Sequence, residues 1–328
     1  QVVIASMPEG PLEPSHFAVQ SNQIPELKGS DVLCRTRAIT IGAGQRAGLQ
    51  GSASYIGAPK VGNVMGGSGI AIVEASQSDQ FSPGDLVRAP TGWQLYSTHQ
   101  PENLTSADPS LDPEIHLGPL GTNGLTAYFG LNDVAEISAG DTVLVSAAAG
   151  SVGHLVGQVA KAQGAMVVGV AGSNEKCAFL VEELGFHGAI SRHSDDFRNE
   201  LKSATPNRID VYFDNTGGKI LQSALFRMAV GGTIVCCGVA SQYDTATPSS
   251  GPKGIPGLLV NNRVRMQGFL IHDYKNRFEE GRSAIAQLIE QSLLKPRVTH
   301  YEGLESAPQA FVDLLAGVTV GTTIVNIN

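Results

Sequence analysis

The segment from Val143 to Gly153 has the pattern of a β-strand that turns directly into an α-helix. Its apolar run stops at a turn of small side chains, where Gly150 and Gly153 occupy the second and third glycine positions of a dinucleotide-binding fingerprint and Ala148 replaces the first. Small side chains let the backbone approach a pyrophosphate, and the N–H groups at the start of the next helix favour negative charge. The segment therefore predicts a strand–helix unit with a dinucleotide at its turn.

The residues after this turn continue the alternating pattern. Leu155, Val156 and Val159 give the helix an apolar face, Gly164 ends it, and the apolar run 165–171 supplies a second strand. Strands and helices alternate onward, which predicts a doubly wound parallel sheet covered by helices on both faces. The predicted strands of this region are 142–146, 166–171, 188–191, 209–213, 233–238 and 264–270. The predicted helices are 152–163, 175–184, 195–203, 219–229 and 280–293.

The tip of the second strand indicates which dinucleotide binds. An NAD site usually places Asp or Glu there to hold the ribose 2′-hydroxyl, but this strand ends in Gly172 and Ser173. Ser173, Lys176 and Arg192 offer the hydroxyl and cationic donors that a 2′-phosphate needs, so we predict NADP rather than NAD. The alternative is that Ser173 caps a helix and Lys176 is a solvated surface charge. Glu175 argues against a phosphate unless its side chain points away.

The two ends of the chain differ from its middle. Their short apolar runs, separated by Gly- and Pro-rich turns, are typical of a small, mostly β domain. The predicted N-terminal strands are 32–39, 69–73, 85–89 and 92–97. A helix is predicted over 122–133. Near the C-terminus, Ser306 and Gln309 have the spacing of a capping box for a helix that ends before Gly317, and 323–327 is a final strand.

The composition restricts the class of partner. The 328 residues suffice for two domains, and the net charge of −8 argues against nucleic acid or an anionic membrane as a partner. No apolar run approaches the ~20 residues that cross a bilayer, and no basic-then-apolar leader indicates export. The four cysteines form no CxxC pair and no metal-ligand spacing. We therefore expect a cytoplasmic protein that binds small molecules.

Further motifs follow one another along the chain in a fixed order. They are 124–131 (GLTAYFGL), 147–153 (AAAGSVG), 170–176 (VAGSNEK), 212–218 (YFDNTGG), 265–269 (RMQGF) and 302–308 (EGLESAP). Together they resemble the zinc-independent branch of the medium-chain dehydrogenase/reductases, and within it the family of NADPH-dependent alkenal double-bond reductases. The sequence departs from this family near the expected substrate pocket, where the N-terminal Met-Arg element reads Gln45-Arg46.

The resemblance implies an α/β fold with two domains. A Rossmann domain, which is a doubly wound parallel sheet, is expected to bind NADP and to comprise residues 118–284. A mostly β, GroES-like catalytic domain is expected to comprise residues 1–117 and 285–328. The family also implies a cofactor cleft between the domains and a homodimer.

The resemblance and the strand pattern together predict the residues that hold NADPH. Phe269, Leu270 and Ile271 are expected to offer backbone groups to the carboxamide. Asn215 is expected to contact the ribose or the nicotinamide, unless it only caps the glycine turn that follows. The predicted cofactor-binding residues are Thr126, Ala149, Gly150, Ser151, Val152, Gly153, Gly172, Ser173, Lys176, Arg192, Asn215, Gly238, Val239, Ser241, Tyr243, Phe269, Leu270 and Ile271.

The sequence lacks the ligand motifs of a catalytic zinc. Zinc alcohol dehydrogenases use Cys and His ligands around an open coordination position, but the N-terminal region offers Cys34 without a Gly-His-Glu motif. We therefore predict no metal, and without a Lewis acid the reduction of an activated C=C bond is easier to support than alcohol oxidation. In the expected reaction, NADPH delivers hydride to the β-carbon of an α,β-unsaturated aldehyde or ketone, and the resulting enolate is stabilised by hydrogen-bond donors and protonated.

Two tyrosines are the candidate catalytic residues. Tyr243 follows a strand end, where ligands bind in open α/β sheets, and the related Ser-x-Tyr turn of the family approaches the nicotinamide and substrate. It is expected to donate to the enolate oxygen or to contact ribose; the alternative is a tyrosine that only packs its loop. Tyr55 is expected to line the pocket from the N-terminal domain, unless it is an exposed loop residue.

Three rival functions remain open at this stage. They are a quinone reductase of the same superfamily, a trans-enoyl reductase of a biosynthetic pathway, and a non-enzymatic NADPH-binding sensor or structural protein. Relative turnover of enals, enones and quinones distinguishes the enzymes. NADPH binding without any turnover would identify the non-enzyme.

Overall fold

The computed structural model describes residues 1–51, 59–245, 247 and 251–327. Its strands are β1 (Val2–Ile4), β2 (Phe17–Val19), β3 (Val32–Ile41), β4 (Gly69–Ser76), β5 (Leu86–Ala89), β6 (Tyr96–His99), β7 (Thr105–Ser106), β8 (Thr142–Ser146), β9 (Met166–Ala171), β10 (Gly188–Ser191), β11 (Ile209–Asp214), β12 (Met228–Cys236), β13 (Arg265–Gly268), β14 (Val298–Glu302) and β15 (Thr322–Asn326). Its α-helices are α1 (Gly44–Leu49), α2 (Pro113–Leu117), α3 (Thr122–Phe129), α4 (Gly153–Ala162), α5 (Asn174–Ala178), α6 (Phe197–Ala204), α7 (Gly218–Leu225), α8 (Ile255–Asn262), α9 (Phe278–Glu290) and α10 (Ala307–Leu315). None of the helices in these described ranges is long and apolar enough to cross a membrane.

The chain divides into two compact units. The first unit contains Gln1–Gly118, Tyr243–Ala246 and Val298–Asn328, and the second contains Pro119–Gln242 and Thr247–Arg297. The predicted second boundary, between residues 284 and 285, lies inside α9. Because α9 packs against α3 and α4, the chain stays in the second unit until Arg297. The short segment at Tyr243–Ala246 has no counterpart in the predicted boundaries.

The second unit is built on a parallel sheet with the strand order β10-β9-β8-β11-β12-β13. Val143, Leu144 and Val145 of β8 are fully buried, which is typical of a strand covered on both faces. Strands β9 and β10 lie on one side of β8, and β11, β12 and β13 lie on the other. The doubly wound sheet is thus confirmed, and the crevice between the ends of β8 and β11 is the point where such sheets bind ligands.

Helix α4 packs closely on this sheet. Leu155, Val156 and Val159 are buried, as the apolar pattern predicts. A Cβ atom on Gly157 would lie 1.9 Å from the ring of Phe186, so the missing side chain makes room for that aromatic ring. The close approach of helix and sheet fixes the turn that precedes α4.

The last part of the second unit differs from the predicted elements. Helix α7 ends at Leu225 and β12 begins at Met228, although a helix is predicted to 229 and a strand only from 233. Gly231 has a φ of +82°, and the register between β11 and β12 shifts in this region, so the strand bends where the sequence suggests a break. Helix α8 is absent from the prediction because its proline and glycine lower helix propensity.

The first unit contains a sheet that both ends of the chain build. Its order is β14-β15-β3-β4-β5-β7, and β6 also pairs with β3. The predicted N-terminal strands correspond to β3, β4 and β5, whereas the fourth lies later than predicted, as β6. Trp93, Phe17 and Phe311 pack together in the core of this unit, with ring centroids 5.3–6.3 Å apart.

The capping box predicted at the start of α10 does not form. The backbone of Ser306 already has helical angles, φ −82° and ψ −13°, because a short helical turn precedes α10. The Ser306 hydroxyl therefore donates backwards to the carbonyl oxygen of Gly303 at 2.7 Å. Helix α10 begins at Ala307 without a side-chain cap.

A buried histidine links the start of α4 to the end of the second unit. His154 is fully buried; its Nδ1 lies 2.8 Å from the carbonyl oxygen of Gly150, and its Nε2 accepts the N–H of Arg297 at 3.3 Å. One turn further along, Gln158 exchanges two hydrogen bonds with the backbone of Lys295, at 2.7 and 3.1 Å. Burial lowers the pKa of His154 to about 4, although its backbone hydrogen bonds partly oppose that shift.

We expect the protein to lose stability below neutral pH through His154. Its folded pKa of about 4 lies below the ordinary value of 6.5, so its contribution is complete above pH 6.5 and is lost as the pH falls towards 4. Between about pH 7.5 and pH 5 this loss amounts to about 2 kcal/mol of unfolding free energy. Urea unfolding of His154→Gln should therefore depend less on pH than that of the unaltered protein. The exposed His272→Gln is the control and should behave like the unaltered protein; an equal pH dependence in all three would contradict the assignment.

Candidate functional site

The turn between β8 and α4 brings the backbone close to the start of the helix. Ala147 has a left-handed φ of +48°, and its carbonyl oxygen accepts the N–H of Gly150 at 2.9 Å. A Cβ atom on Gly153 would lie 2.3 Å from that same oxygen, so this position requires glycine. At the start of α4 the His154 N–H donates to the carbonyl oxygen of Gly150 at 3.2 Å, which closes the turn onto the helix. Pyrophosphate binding by residues 149–153 stays a prediction.

Three of the predicted 2′-phosphate residues lie together at the tips of β9 and β10. Arg192 follows β10, and its N–H donates to the carbonyl oxygen of Ala171 at 2.8 Å, which holds it beside the end of β9. A Cβ atom on Gly172 would lie 3.8 to 4.0 Å from the Arg192 guanidinium, an ordinary contact distance, so the guanidinium lies beside the tip of β9. Burial, and then the positive charge of Arg192, lower the pKa of Lys176. Two cations held this close fit a doubly charged phosphate.

The contacts of Ser173 and Glu175 change what the predicted phosphate site offers. The Ser173 side chain accepts the N–H of Lys176 at 3.3 Å and so caps α5, as the alternative interpretation expects. Lys176 is half-buried, however, and is not the solvated surface charge of that interpretation. A hydrogen bond from the Ser173 side chain lowers the pKa of Glu175, so the Glu175 carboxylate lies at the Ser173 hydroxyl. A carboxylate therefore lies next to one of the predicted phosphate donors.

A carboxylate that the sequence analysis did not single out organises the end of β11. Asp214 is 2% exposed, and its Oδ1 accepts the Tyr212 hydroxyl at 2.7 Å, the Gly217 N–H at 2.7 Å and the Thr216 N–H at 2.9 Å. Ser146, at the end of β8, donates its hydroxyl to the same oxygen at 3.3 Å. Burial, and then the charge of Asp214, raise the pKa of Tyr212, which keeps its hydroxyl a donor.

Asn215 joins the ends of the two central strands. Its N–H donates to the Ser146 hydroxyl at 2.9 Å, and its Nδ2 donates to the Ser146 carbonyl oxygen at 2.8 Å. This bond uses one of the two donors of the side-chain amide nitrogen. A contact between Asn215 and the ribose or nicotinamide remains a prediction.

The turn after β12 is attached to the turn after β11. Ala240 and Ser241 donate their N–H groups to the carbonyl oxygens of Asn215 and Thr216, each at 3.1 Å. A Cβ atom on Gly238 would lie 3.1 Å from the carbonyl oxygen of Asn215, so the two turns approach closely. The structure thereby brings together four residues of the predicted site, Asn215, Gly238, Val239 and Ser241.

The remaining predicted residues of the second unit lie on α3 and directly after β13. Thr126 is buried on α3, which packs against α4. Phe269 follows β13, and a Cβ atom on Gly130 would lie 3.1 Å from its ring, so the Phe269 side chain faces the protein interior. Leu270 and Ile271 lie just beyond it, Leu270 being exposed. Their contacts with a cofactor stay a prediction.

Of the two candidate catalytic tyrosines, the structure describes Tyr243 but not Tyr55. Tyr243 is half-buried and belongs to the short segment of the first unit. Tyr55 lies outside the described residues.

All four cysteines are described and are free thiols, and burial raises the pKa of Cys34 and Cys236 to about 11. Across the described ranges no group of three or more His, Cys, Asp or Glu side chains could hold a metal ion, so these residues do not fit a zinc site.

Two family models match the chain. One is described as "Zinc-binding dehydrogenase" and matches residues 151–287; the other is described as "N-terminal domain of oxidoreductase" and matches residues 1–107. The chain is 34% identical over 330 residues to the NADPH-dependent curcumin reductase of Escherichia coli (strain K12), covering 99% of this chain and 96% of that protein. It is 37% identical over 284 residues to the 2-alkenal reductase (NADP(+)-dependent) of Nicotiana tabacum, covering 84% and 80%.

A solved structure is similar along the whole chain. The crystal structure of CurA in complex with NADPH from Vibrio vulnificus superposes with a TM-score of 0.95 at 36% identity, covering 100% of this chain and 99% of that one. The sequence and structural similarities extend across both units, which excludes a match confined to the dinucleotide fold. The chain belongs to the medium-chain dehydrogenase/reductase family, in the branch that contains the NADPH-dependent alkenal double-bond reductases.

Proposed function

We propose that the chain is an NADPH-dependent reductase of the C=C bond of α,β-unsaturated aldehydes or ketones. The observation that carries the cofactor choice is the pair of cations, Lys176 and Arg192, held beside the tip of β9. The relatives named as curcumin and 2-alkenal reductases support the substrate class. The proposed enzyme needs no metal, because the nicotinamide supplies the hydride and hydrogen-bond donors suffice to stabilise the enolate.

The proposed binding roles follow from the positions of the residues. Lys176 and Arg192 would bind the 2′-phosphate through charge-assisted hydrogen bonds. Backbone groups of residues 149–153 would bind the pyrophosphate at the start of α4. Asp214 keeps the turns that carry Asn215 and Gly238 in one arrangement and so orients the part of the site at the ends of the central strands.

The proposed chemistry requires little of the protein beyond positioning and hydrogen bonding. When bound, NADPH supplies a hydride for the β-carbon of the substrate. As the β-carbon gains the hydride, the π pair of the C=C bond would shift between the α-carbon and the carbonyl carbon, and the carbonyl π pair would move onto oxygen, where the Tyr243 hydroxyl would donate a hydrogen bond to the developing enolate. The α-carbon finally takes a proton from water or a side chain, which completes the saturated product.

We further propose that the protein works in the cytoplasm as a homodimer. The free thiols support a reducing compartment. Among the described residues β13 pairs only with β12, and three of its four residues are exposed. An open strand edge is suited to pairing with a second copy related by two-fold symmetry.

Removing one phosphate contact should change the cofactor preference. We expect Lys176→Ala to raise the KM for NADPH by about 10- to 150-fold, because a charge-assisted hydrogen bond is lost, and to change the KM for NADH far less. Glu175→Gln should act in the opposite direction, since it removes a carboxylate next to the phosphate donors. Steady-state kinetics with both cofactors tests this, and an unchanged NADPH/NADH preference in Lys176→Ala would refute the assignment.

Isotope labelling tests the proposed reaction directly. With deuterated NADPH and an α,β-unsaturated ketone, deuterium should appear on the β-carbon of the product, and the new α-hydrogen should come from solvent. Mass spectrometry and NMR of the product locate both atoms. Deuterium on the carbonyl carbon would identify a carbonyl reductase instead, and faster turnover of quinones than of enals or enones would identify a quinone reductase.

Tyr243→Phe tests the role of the tyrosine hydroxyl. If the hydroxyl stabilises the enolate, the variant should lower kcat by about 10- to 1,000-fold with little change in the KM of the substrate, because the interaction strengthens in the transition state. The Kd of NADPH, measured by fluorescence titration, should stay the same. A weaker Kd with kcat preserved would make Tyr243 a cofactor contact only.

A further inference from the structure

A buried arginine in the first unit holds the segment that carries Tyr243. Arg46 lies on α1 and is 1% exposed. Its Nε donates to the Asp244 carboxylate at 3.2 Å, and its Nη2 donates to the carbonyl oxygen of Gly10 at 2.7 Å. Arginine is almost never fully buried unless it is paired, and these two contacts supply partners on two separate chain segments.

The same carboxylate is also attached to the N-terminal segment. The N–H of Leu12 donates to the oxygen of Asp244 that Arg46 contacts, at 2.5 Å. The Leu12 side chain is 3% exposed and packs in the core of the first unit with Leu49 and Trp93. Asp244 is therefore connected to two elements that the core already fixes, α1 and the segment at residues 10–12.

The backbone at Asp244 shows why such an anchor is needed. Its φ of +57° lies in the left-handed region, which residues other than glycine rarely adopt, although Asp is among those that tolerate it best. The anchoring contacts hold the chain in this conformation. Because a planar peptide bond joins Tyr243 to Asp244, these contacts also restrain the position of the Tyr243 Cα atom.

We infer that Arg46 is a positioning residue, which acts through Asp244 to hold Tyr243 where its hydroxyl can serve the reaction. The inference rests on the proposed function, since it presupposes that Tyr243 donates to the substrate oxygen. The pair is buried on the side of Arg46, whereas the Asp244 side chain is 25% exposed, and such ion pairs are often no more stabilising than apolar side chains of similar volume. The more informative property of this pair is that it fixes one geometry, and a hydrogen-bond donor in an active site loses effect when it is displaced by about 1 Å.

The test is Arg46→Met in two backgrounds. Methionine keeps an apolar stem in the core and removes the donors to Asp244 and Gly10. In the unaltered protein we expect kcat for an aliphatic α,β-unsaturated ketone to fall by about 10- to 100-fold, with the Kd of NADPH unchanged. In the Tyr243→Phe background the same substitution should change kcat by less than about twofold, because the hydroxyl that Arg46 positions is already absent.

A second variant addresses the stability of the fold. Arg46→Met leaves Asp244 without its cation, so the double variant Arg46→Met/Asp244→Asn, which removes both charges and keeps a residue that tolerates left-handed φ, should be made in the same two backgrounds. Arg35→Met is the control for the loss of an arginine ion pair elsewhere in the unit. It removes an arginine that pairs with Glu74 at 3.0 Å in the same unit, and it should leave kcat unchanged.

The outcomes separate this inference from the proposed function. A fall in kcat that disappears in the Tyr243→Phe background supports it. A fall of the same size in both backgrounds, or an unchanged kcat with a lower melting temperature, would overturn it and leave Arg46 with a structural role. If the unaltered protein reduces no enal or enone, the proposed function fails. If it does reduce them and Tyr243→Phe is fully active, the inference alone fails.

Discussion

The geometry of the candidate site in the second unit depends on the hydrogen bonds that the buried carboxylate of Asp214 accepts. It receives hydrogen bonds from both central strands and from the turn that follows β11. Burying a charge is costly unless hydrogen bonds compensate for it, so the carboxylate needs the donors around this oxygen. Those donors would in turn lack a partner without the carboxylate. Their mutual dependence fixes the strand ends at the switch point, and the turns at residues 215–217 and 238–241 take their positions from it.

The positive charges at the tips of β9 and β10 form the second part of the candidate site, beside the hydrogen bonds of Asp214. Lys176 and Arg192 repel each other, and the fold holds them together by half-burying the lysine and anchoring the arginine backbone. An anion that bound both cations would remove this repulsion, which is the physical basis of the proposed 2′-phosphate site. At that site the exposed carboxylate of Glu175 would work against the anion.

Local sequence patterns predicted the parts of the structure that are encoded locally. The buried strand β8, the apolar face of α4 and the glycine at 153 each depend on residues within one strand–turn–helix unit, and the cations at 176 and 192 follow its strand tips. The bent start of β12 depends on its pairing with β11, which no local pattern encodes. Asp214 follows the apolar run at 211–213, a polar residue at a strand end that could have indicated its role. The contact between Arg46 and Asp244 joins positions 198 residues apart, which is beyond the reach of any motif.

The short segment at Tyr243–Ala246, which belongs to the first unit, limits how relatives can recombine. A crossover that replaces the first unit by exchanging only the two chain ends would leave Asp244 behind, in a segment that lies between Gln242 and Thr247 of the second unit. The transplanted α1 would then meet a loop from a different parent. Chimaeras of this fold should therefore keep residues 46 and 244 from the same parent, and natural exchange of whole domains would have been constrained by the same pair.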